Sequence, residues 1–327
     1  MVYSEVLNRF REFITIIEVA MIDRTVTTVI DLEKCNGCEL CIKVCPSDTI
    51  SMQDGKAYVT GDRSLQCGHC VAVCPVDAVR VDAIDAQSLA FNSFDLENEW
   101  LPPGESDTAQ LVQLMASRRS CRNYTEQTVD RAVLEDLVKI GTTAPSGTNS
   151  QKWTFTVFPD RAAVAEFGQR IGSFFKNINR MAEKRWMRKA LKLIGKPALD
   201  NYYREYFESV KDGLREWELS GRDRLFHGAP AVIVVASKPG ASCPMEDAML
   251  ATQNILLAAH SMELGTCLIG FAVEAIRNDS SIQQFLKIPA EETVYSVIAI
   301  GYPEEKYEGL TGRKKFVMRY FEAGTNK

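Results

Sequence analysis

The feature that most constrains this chain is a repeated cysteine pattern near its N-terminus. "CNGCELCIKVCP" begins at Cys35, and "SLQCGHCVAVCP" follows at an offset of 29 residues with Ser64 in place of the first cysteine. The same offset pairs Pro46 with Pro75, although proline binds no metal. Such matches indicate an internal duplication. Seven of the ten cysteines lie in these two runs, which favours metal binding over a secreted disulfide scaffold.

The cysteine spacing is typical of iron–sulfur ligand loops. In the first run the cysteines follow each other by three, three and four residues, and a proline comes next. A loop with a thiolate at every third residue can surround three corners of a cuboidal cluster, with backbone amides directed at the sulfides. A zinc site of four thiolates is the alternative, but it would leave three cysteines unused. The pattern therefore favours iron–sulfur clusters, which transfer one electron at a time.

Residues 23–85 resemble a bacterial two-cluster ferredoxin, with the short strands "TTVIDL" and "AYVTG" beside the ligand loops. In such proteins the fourth cysteine of each run ligates the other cluster. The resemblance thus assigns the ligands of cluster one and of cluster two, the latter with Ser64 at its fourth corner: Cys35, Cys38, Cys41 and Cys74 for cluster one, and Cys45, Cys67, Cys70 and Ser64 for cluster two.

Ser64 leaves the nature of cluster two open, because a serine hydroxyl is a hard, high-pKa ligand poorly matched to iron that prefers thiolate. Three outcomes are consistent with the sequence. The cluster is a 4Fe-4S cluster bound by Ser64 or by another oxygen donor such as Asp62, a 3Fe-4S cluster without that corner, or a labile site. We favour the four-iron cluster with an unusual ligand over the three-iron form.

Composition excludes several classes of partner. A net charge of -5 on 327 residues gives no electrostatic case for nucleic acid or a membrane surface. No apolar run reaches the roughly 18 to 20 residues of a membrane span, and charges interrupt the N-terminal segment where a secretory signal would be apolar. We therefore expect a cytoplasmic protein. Residues 1–22 form either an amphipathic helix or a segment upstream of a natural start at Met21.

A second domain is predicted from Asp107, after a linker over residues 86–106 that contains "LPPGES". Its first helix ends near "SRRSCRNY", and a second helix is predicted over residues 129–140 with Thr128 as its cap. Alternating guanidinium and hydroxyl groups in "RRSCR" can hold a phosphate, although an exposed arginine cluster alone is more typical of a solvated helix end.

Five motifs in order carry a second resemblance: "RRSCRNY", "APSGTNSQKW", "HGAPAVIVVA", "LGTCLIGF", and "IAIGYPEEK" before "GRKK". Over residues 107–327 the chain resembles the nitroreductase family of flavoproteins. The resemblance implies an α+β sandwich with a central sheet, a homodimer, and FMN at the dimer interface. The fold class predicted for the whole chain is therefore α+β, with a ferredoxin-like two-cluster domain followed by a nitroreductase-like domain.

The same resemblance implies three groups of FMN-binding residues. Side chains for the phosphate and ribityl chain would be Arg118, Arg119, Ser120, Arg122, Arg313 and Lys315. The isoalloxazine ring would be flanked, from the partner subunit, by Pro145, Ser146, Gly147 and Asn149. Backbone amides at the N5 edge would belong to Ile269 and Gly270, where a donor assists reduction of the ring. No side chain is predicted as catalytic, because reduced FMN can deliver a hydride while solvent supplies the proton.

A helical insertion is predicted over residues 160–226, with a basic amphipathic stretch around Arg185 and Arg188. We interpret it as a solvated helix; the alternative is a lid whose basic face docks an acidic donor. The predicted function is an oxidoreductase in which the clusters reduce FMN, and FMN reduces a nitroaromatic, quinone, enone or similar electrophile. The donor would be ferredoxin, flavodoxin or NAD(P)H. Alternatives are an electron relay or redox sensor for a partner protein, and a dehalogenating or flavin-fragmenting enzyme.

Overall fold

The computed structural model describes residues 23–97 and 99–322. The helix predicted in residues 1–22 lies outside these residues. Within the described ranges, no helix combines the length and apolar content that crossing a bilayer requires.

The N-terminal unit is built from two similar halves. Each half contributes one strand to each of two antiparallel ribbons, because β1 pairs with β4 and β2 pairs with β3. Each half also contains one short helix, which carries Cys41 in the first half and Cys70 at the equivalent position in the second. The elements are β1 (Thr28–Ile30), α1 (Leu40–Lys43), β2 (Ile50–Gln53), β3 (Lys56–Val59), α2 (His69–Ala72) and β4 (Val79–Val81).

The backbone repeats at the same offset as the sequence. Glu39 and Gly68 precede the two short helices with φ of 64° and 73°, in the left-handed region. Asp48 and Asp77 adopt φ of 50° and 48° after the proline of each run. Non-glycine residues rarely enter this region, so the paired occurrences confirm that the two halves are duplicates.

The C-terminal domain contains a four-stranded sheet and nine helices within the described residues. Its elements are α3 (Thr108–Ser117), α4 (Arg131–Gly141), β5 (Trp153–Phe158), α5 (Arg161–Glu183), α6 (Arg185–Leu193), α7 (Ala198–Glu205), α8 (Phe207–Ser220), β6 (Ala231–Ser237), α9 (Pro244–Ser261), β7 (Gly265–Leu268), α10 (Gly270–Asn278), α11 (Ser280–Phe285) and β8 (Thr293–Gly301).

The sheet of this domain has the order β5-β6-β8-β7, and every neighbouring pair is antiparallel. Every residue of β6 is buried, as expected for a central strand covered on both faces. One face packs on Phe167 and Ile171 of α5, and the other packs on Leu134 of α4 and Ile255 of α9. β5 and β7 are the two edge strands, which fixes the positions of the loops described below.

Aspartates cap the first two helices of this domain. The Asp107 carboxylate accepts hydrogen bonds from the N–H groups of Ala109 and Gln110, at 2.8 and 3.1 Å. Asp130 accepts from Ala132 N–H at 2.9 Å. The cap predicted at Thr128 was therefore wrong, because α4 begins two residues later, and a carboxylate caps this helix start.

The segment between the domains is tied to α4. The buried Asp136 carboxylate accepts hydrogen bonds from Asn92 N–H at 2.9 Å and from the N–H and hydroxyl of Ser93, both at 2.6 Å. The Lys139 ammonium donates to Ala90 C=O. Part of the segment predicted as a linker is thus held against the C-terminal domain.

Four helices, α5 to α8, occupy residues 161–220. The single basic helix expected there is interrupted at Lys184, whose ψ of 93° is extended, so α6 is a separate and largely exposed helix. Arg188 is not a free surface cation: its guanidinium lies 3.5 Å from the centroid of the Tyr203 ring and 3.6 Å from Asp200. Arg185 is exposed.

Candidate iron–sulfur and flavin sites

The cysteines predicted for cluster one line a common small cavity. Cys35 and Cys41 are buried, whereas Cys38 is exposed, so the cavity lies close to the surface on one side. The Cys74 sulfur, which comes from the second half of the duplication, accepts a hydrogen bond from Ala78 N–H at 3.2 Å. The structure therefore brings together all four predicted ligands: Cys35, Cys38, Cys41 and Cys74.

A second small cavity is lined by the four residues predicted for cluster two: Cys45, Ser64, Cys67 and Cys70. Asp62, the other oxygen donor considered from the sequence, is exposed and absent from the residues that line this cavity. His69 also borders the cavity but is exposed. Ser64 is only 7% exposed and is thus the oxygen donor best placed at the fourth corner.

Ser64 occupies the position of Cys35 in the repeat and has the same kind of backbone partner. The Gln66 N–H donates to Ser64 Oγ at 3.0 Å, and the Gly37 N–H donates to the thiol of Cys35. A backbone donor favours the charged form of the ligand atom that accepts from it. The hydroxyl of Ser64 therefore has a backbone donor at the same relative position as the thiol of Cys35.

The thiol groups show the electrostatics of crowded ligands. Burial, and then the charges of Cys67 and Cys45, raise the pKa of Cys70 to about 11. At Cys35 the hydrogen bond from Ala57 N–H outweighs burial and lowers the thiol pKa. Crowded thiols resist deprotonation together until a metal centre neutralises them. Among residues 23–97 and 99–322 no three His, Cys, Asp or Glu side chains converge as a single metal ion requires, whereas each predicted quartet lines one cavity.

Two arginines from "RRSCR" and one from the C-terminal segment form a cationic cluster after α3. Burial, and then the charges of Arg313 and Arg119, lower the pKa of Arg118. In the part of the chain that the structure describes, none of these three guanidinium groups has a carboxylate within 4.0 Å. Arg119 donates to the Thr311 hydroxyl. Like charges gathered without a partner fit an anionic ligand such as phosphate.

The "RRSCR" segment lies beside the edge strand β7. Ser120 forms a parallel bridge with Thr266, and Cys121 N–H donates to Thr266 C=O at 2.9 Å. Arg122 is also near this strand, because its charge acts on the pKa of Cys267. Lys315 is exposed in the C-terminal segment, at a position that belongs to no helix or strand.

β7 ends at the two residues predicted to face the flavin N5 edge. Ile269 N–H donates to Val297 C=O at 2.9 Å, whereas Gly270 begins α10. A Cβ atom added at Gly270 would meet no atom within 4 Å, so there is open space against this backbone. A flat ring can approach such a surface closely. The structure thus brings Ile269 and Gly270 to the same sheet edge as the arginine cluster.

The "APSGTN" loop is shaped by a buried acid that the sequence analysis missed. The Asp247 carboxylate, in the first turn of α9, accepts from Gly147 N–H at 2.8 Å and from the Ser150 hydroxyl at 3.1 Å. Thr148 and Asn149 adopt φ of 53° and 57°. The only sequence signal for this role was the presence of an acidic residue, Asp247, in the first turn of the helix that begins at Pro244.

The loop and the arginine cluster lie on opposite sides of one protomer. Residues 145–149 lead into β5, whereas Ile269 and Gly270 follow β7, and β6 and β8 lie between these edge strands. Three strand spacings correspond to about 14 Å. The structure therefore does not bring Pro145, Ser146, Gly147 and Asn149 to the other predicted flavin residues within one chain.

Asn149 instead contacts the ligand loop of cluster two. Its side-chain amide donates to Leu65 C=O at 3.0 Å and to Gln66 C=O at 3.1 Å. These carbonyls lie between Ser64 and Cys67 in the chain. The contact joins the two domains, and no local sequence pattern predicts it.

Comparison with known proteins identifies both parts of the chain. Residues 115–302 match the nitroreductase family, and residues 27–88 match the 4Fe-4S dicluster domain. These matches confirm both resemblances predicted from the sequence, and with them the α+β fold, the FMN-dependent oxidoreductase class, and FMN and iron–sulfur clusters as cofactors.

Individual relatives align with the C-terminal domain. An iodotyrosine deiodinase from Thermotoga neapolitana is 23% identical over 220 residues, covering 64% of this chain and 97% of the relative. A 4-nitrobenzoate reductase from Nocardioides is 27% identical over 209 residues, covering 59% and 81%. A solved nitroreductase with bound FMN from Bacteroides fragilis is 23% identical, covers 66% of this chain and 96% of its own, and has a TM-score of 0.45.

Proposed function

This chain belongs to the nitroreductase family and carries a 4Fe-4S dicluster domain, and on that premise we propose that it is a homodimeric reductase of small electrophiles. Electrons would enter the ferredoxin-like domain singly and reach FMN in the C-terminal domain. FMN, when bound, accepts single electrons and passes two to a substrate. The covalent connection keeps donor and acceptor domains at a high effective concentration.

The observation that carries this proposal is the pair of hydrogen bonds from Asn149 to Leu65 and Gln66. They hold the cluster-two ligand loop against the loop predicted to flank the flavin ring. A fusion in which the two domains worked separately would not need this contact. Asp136 supports the same arrangement, because it fixes the segment that leaves the ferredoxin-like domain.

A homodimer is supported by apolar side chains that one chain leaves uncovered. Val112 of α3 and Met245 of α9 are 56% and 60% exposed, and in the C-terminal segment Phe316 and Phe321 are 82% and 94% exposed. Residues 304–322 form no helix or strand. Large apolar surfaces of this kind mark protein interfaces, and a twofold dimer would let each C-terminal segment pack on its partner.

Within this dimer we assign phosphate binding to Arg118, Arg119, Ser120, Arg122, Arg313 and Lys315. The backbone amide at the ring edge would come from Gly270, because the N–H of Ile269, also predicted there, already donates to Val297 C=O; the ring face would be flanked by the partner subunit's loop. That division follows from the separation of the two groups within one protomer. Burial, and then the charge of Arg118, lower the pKa of His260; the proposal assigns no proton transfer to this side chain and leaves proton delivery to solvent.

Aromatic electrophiles are the favoured substrates. A cavity of about 460 Å³ between α5 and α8 is bordered by Phe175, Trp217 and Phe271. Phe271 directly follows Gly270, so the cavity begins next to the residue assigned to the ring edge. A cavity of this size, walled by aromatic side chains, suits a planar organic molecule. Nitroaromatics and quinones meet these requirements.

Reductive dehalogenation is the second candidate function. One relative with nearly full-length coverage of its own sequence is named as an iodotyrosine deiodinase, and a halogenated phenol would fit the same aromatic cavity. The reaction would also consume two electrons, but it would release a halide ion. Product analysis therefore separates the two candidates.

The test begins with anaerobic purification and measurement of iron, sulfide and flavin per chain. The photoreduced protein is then mixed with a nitroaromatic compound or a halogenated phenol, and the products are identified. Rapid formation of a reduced nitro product or of halide supports an enzyme with the corresponding substrate. Reduction that stalls until a protein acceptor is added would support the relay alternative, and zinc in place of iron would overturn the proposal.

A further inference from the structure

The predicted flavin site has two parts, the arginine cluster and the loop 145–149, and the cluster-two ligand loop is attached to the second. Through Asn149, the cluster-two ligand loop is attached to residues 145–149. Gln66, which accepts one of these bonds, also donates its N–H to Ser64. Two hydrogen-bonded steps thus connect the predicted ligand Ser64 to the flavin loop of the same chain.

The arginine cluster of that chain lies elsewhere. The flavin loop is fixed to Asp247 at the start of α9, whereas Arg118 acts on His260 at the end of this helix. Thirteen residues separate Asp247 from His260, which corresponds to about 20 Å along the helix axis. The sheet separates the two groups as well, since β5 and β7 are its opposite edge strands and lie about 14 Å apart across the sheet.

We infer that electron transfer crosses the subunit boundary: cluster two of one protomer serves the FMN whose phosphate is held by the arginines of its partner. This inference rests on the proposed function, in which each FMN is shared between an arginine cluster and the partner's loop. Each transfer moves one electron from cluster two. Two such transfers and two protons from solvent reduce FMN fully, and a one-electron donor of the ferredoxin or flavodoxin class restores the clusters.

The inference makes Asn149 a positioning residue. It contacts the ligand loop of its own chain while lying in the loop assigned to the partner's flavin. Cluster one has no equivalent: at the matching offset, Gly37 packs within the ferredoxin-like domain, where an added Cβ would lie 2.3 Å from Gly55 C=O. Cluster two is therefore the cluster that faces the flavin, and cluster one is the outer one.

The first experiment tests whether the flavin site is shared. Two differently tagged copies of the full chain are coexpressed, one with Arg118→Glu and one with Gly147→Trp, and the heterodimer is isolated anaerobically. Each homodimer should lack FMN. If the site is shared, the heterodimer has one flavin site in which both the arginine cluster and the partner's loop are intact. It should therefore bind one FMN per dimer. Heterodimers without FMN would contradict the shared site of the proposed function.

The second experiment tests the crossing itself, using one pair of substitutions in two arrangements. Cys67→Ala removes a cluster-two ligand, and Arg118→Glu removes one of the two flavin anchors. In the first heterodimer both substitutions are in one chain and the partner is wild type; in the second they are in different chains. Both dimers hold one FMN and one intact cluster two, so they differ only in which chain carries which change.

Flavin bleaching after rapid mixing with dithionite is followed without substrate, and FMN and iron per dimer are quantified. Transfer across the boundary predicts loss of the fast bleaching phase in the first arrangement and its retention in the second. Transfer within one chain predicts the reverse, and this result would overturn the inference while leaving the shared site intact. In a parallel series, Asn149→Ala replaces Cys67→Ala and leaves every predicted metal ligand in place. The flavin of the heterodimer with both substitutions in one chain should then bleach more slowly than that of the heterodimer with the substitutions in different chains.

Discussion

The two cluster sites of this chain come from one duplicated sequence but have different surroundings. The cavity predicted for cluster one is lined by four cysteines, of which Cys38 is at the surface. The cavity predicted for cluster two is lined by three cysteines and Ser64, and the loop that carries Ser64 and Cys67 is hydrogen bonded to Asn149 of the flavin domain. The serine thus stands at the predicted cluster whose loop contacts the flavin domain, which fits the proposed path with electron entry at cluster one and exit at cluster two.

The largest expected effect comes from alanine at the two equivalent positions. Cys35→Ala removes a thiolate that binds iron strongly, so cluster one should be lost and iron per chain should fall by about half. The midpoint of thermal unfolding should fall too, because metal binding stabilises the folded domain. Ser64→Ala should remove at most one iron. Equal iron losses in the two variants, measured by colorimetric assay, would contradict the difference between the sites.

Restoring the missing cysteine should make the sites alike. In Ser64→Cys, a thiolate replaces the hydroxyl in a buried position that already offers the Gln66 N–H. We expect the EPR spectrum of the reduced protein to gain a conventional 4Fe-4S signal for cluster two, and any three-iron signal of the oxidised protein to disappear. Unchanged spectra would show that residue 64 does not occupy the fourth corner.

The hydrogen bonds of Asp136 should contribute on the order of 3 kcal/mol to the free energy of unfolding, because Asp136→Ala removes a buried carboxylate that accepts from the N–H groups of Asn92 and Ser93. Urea denaturation should show a lower midpoint. Asp85→Ala is the matched control, since its carboxylate accepts only from Gln87 N–H in an exposed turn. A shift as large in the control would contradict a special role of Asp136.

The same carboxylate predicts a pH dependence. Burial opposes ionisation of Asp136, but hydrogen bonds from Ser93 and Asn92 outweigh it and hold the pKa below its ordinary value. The contribution of the ionised carboxylate to the free energy of unfolding is therefore fully present above the unfolded-state pKa of about 3.9. It is lost as the pH falls through the lower folded-state pKa. The stability difference between wild type and Asp136→Asn should narrow in that acidic range.

Removal of the Asn149 amide should have a more local effect. Asn149→Ala deletes two hydrogen bonds to the cluster-two loop, each worth about 1 kcal/mol. Amide hydrogen exchange at residues 65–67 should accelerate, whereas exchange around the cluster-one ligands should not change. Asn254→Ala provides the control, because its amide bonds only to the exposed Thr143 hydroxyl. Equal acceleration at both ligand loops would show that the contact is not specific to cluster two.

Features that depend on residues close together in the chain could be predicted from the sequence, whereas contacts between distant residues could not. The ligand quartets could be predicted because spacing and duplication are local, and Ser64 could be placed by its offset from Cys35. The placement of Asn149 on Leu65 and Gln66 could not, because it joins residues 83 and 84 positions apart in the chain. Asp247 was missed for the same reason: its partner Gly147 lies 100 residues away. At Arg188 the basic pattern was visible, but the neighbouring Tyr203 ring that holds this side chain was not.

The smallest expected effect concerns where the external donor binds. Because cluster two faces the flavin loop, we expect an acidic donor to dock beside cluster one, where Cys38 and Lys43 are exposed. Lys43→Glu should raise the KM for ferredoxin about two- to threefold, the size of one surface charge contact, and the effect should weaken at high salt. Arg185→Glu on α6 is the matched charge reversal and should leave KM unchanged. Arg188→Glu is unsuitable, since it would also break the contacts with Tyr203 and Asp200. A rise in KM confined to Arg185→Glu would place the donor on the helical insertion and would contradict entry at cluster one.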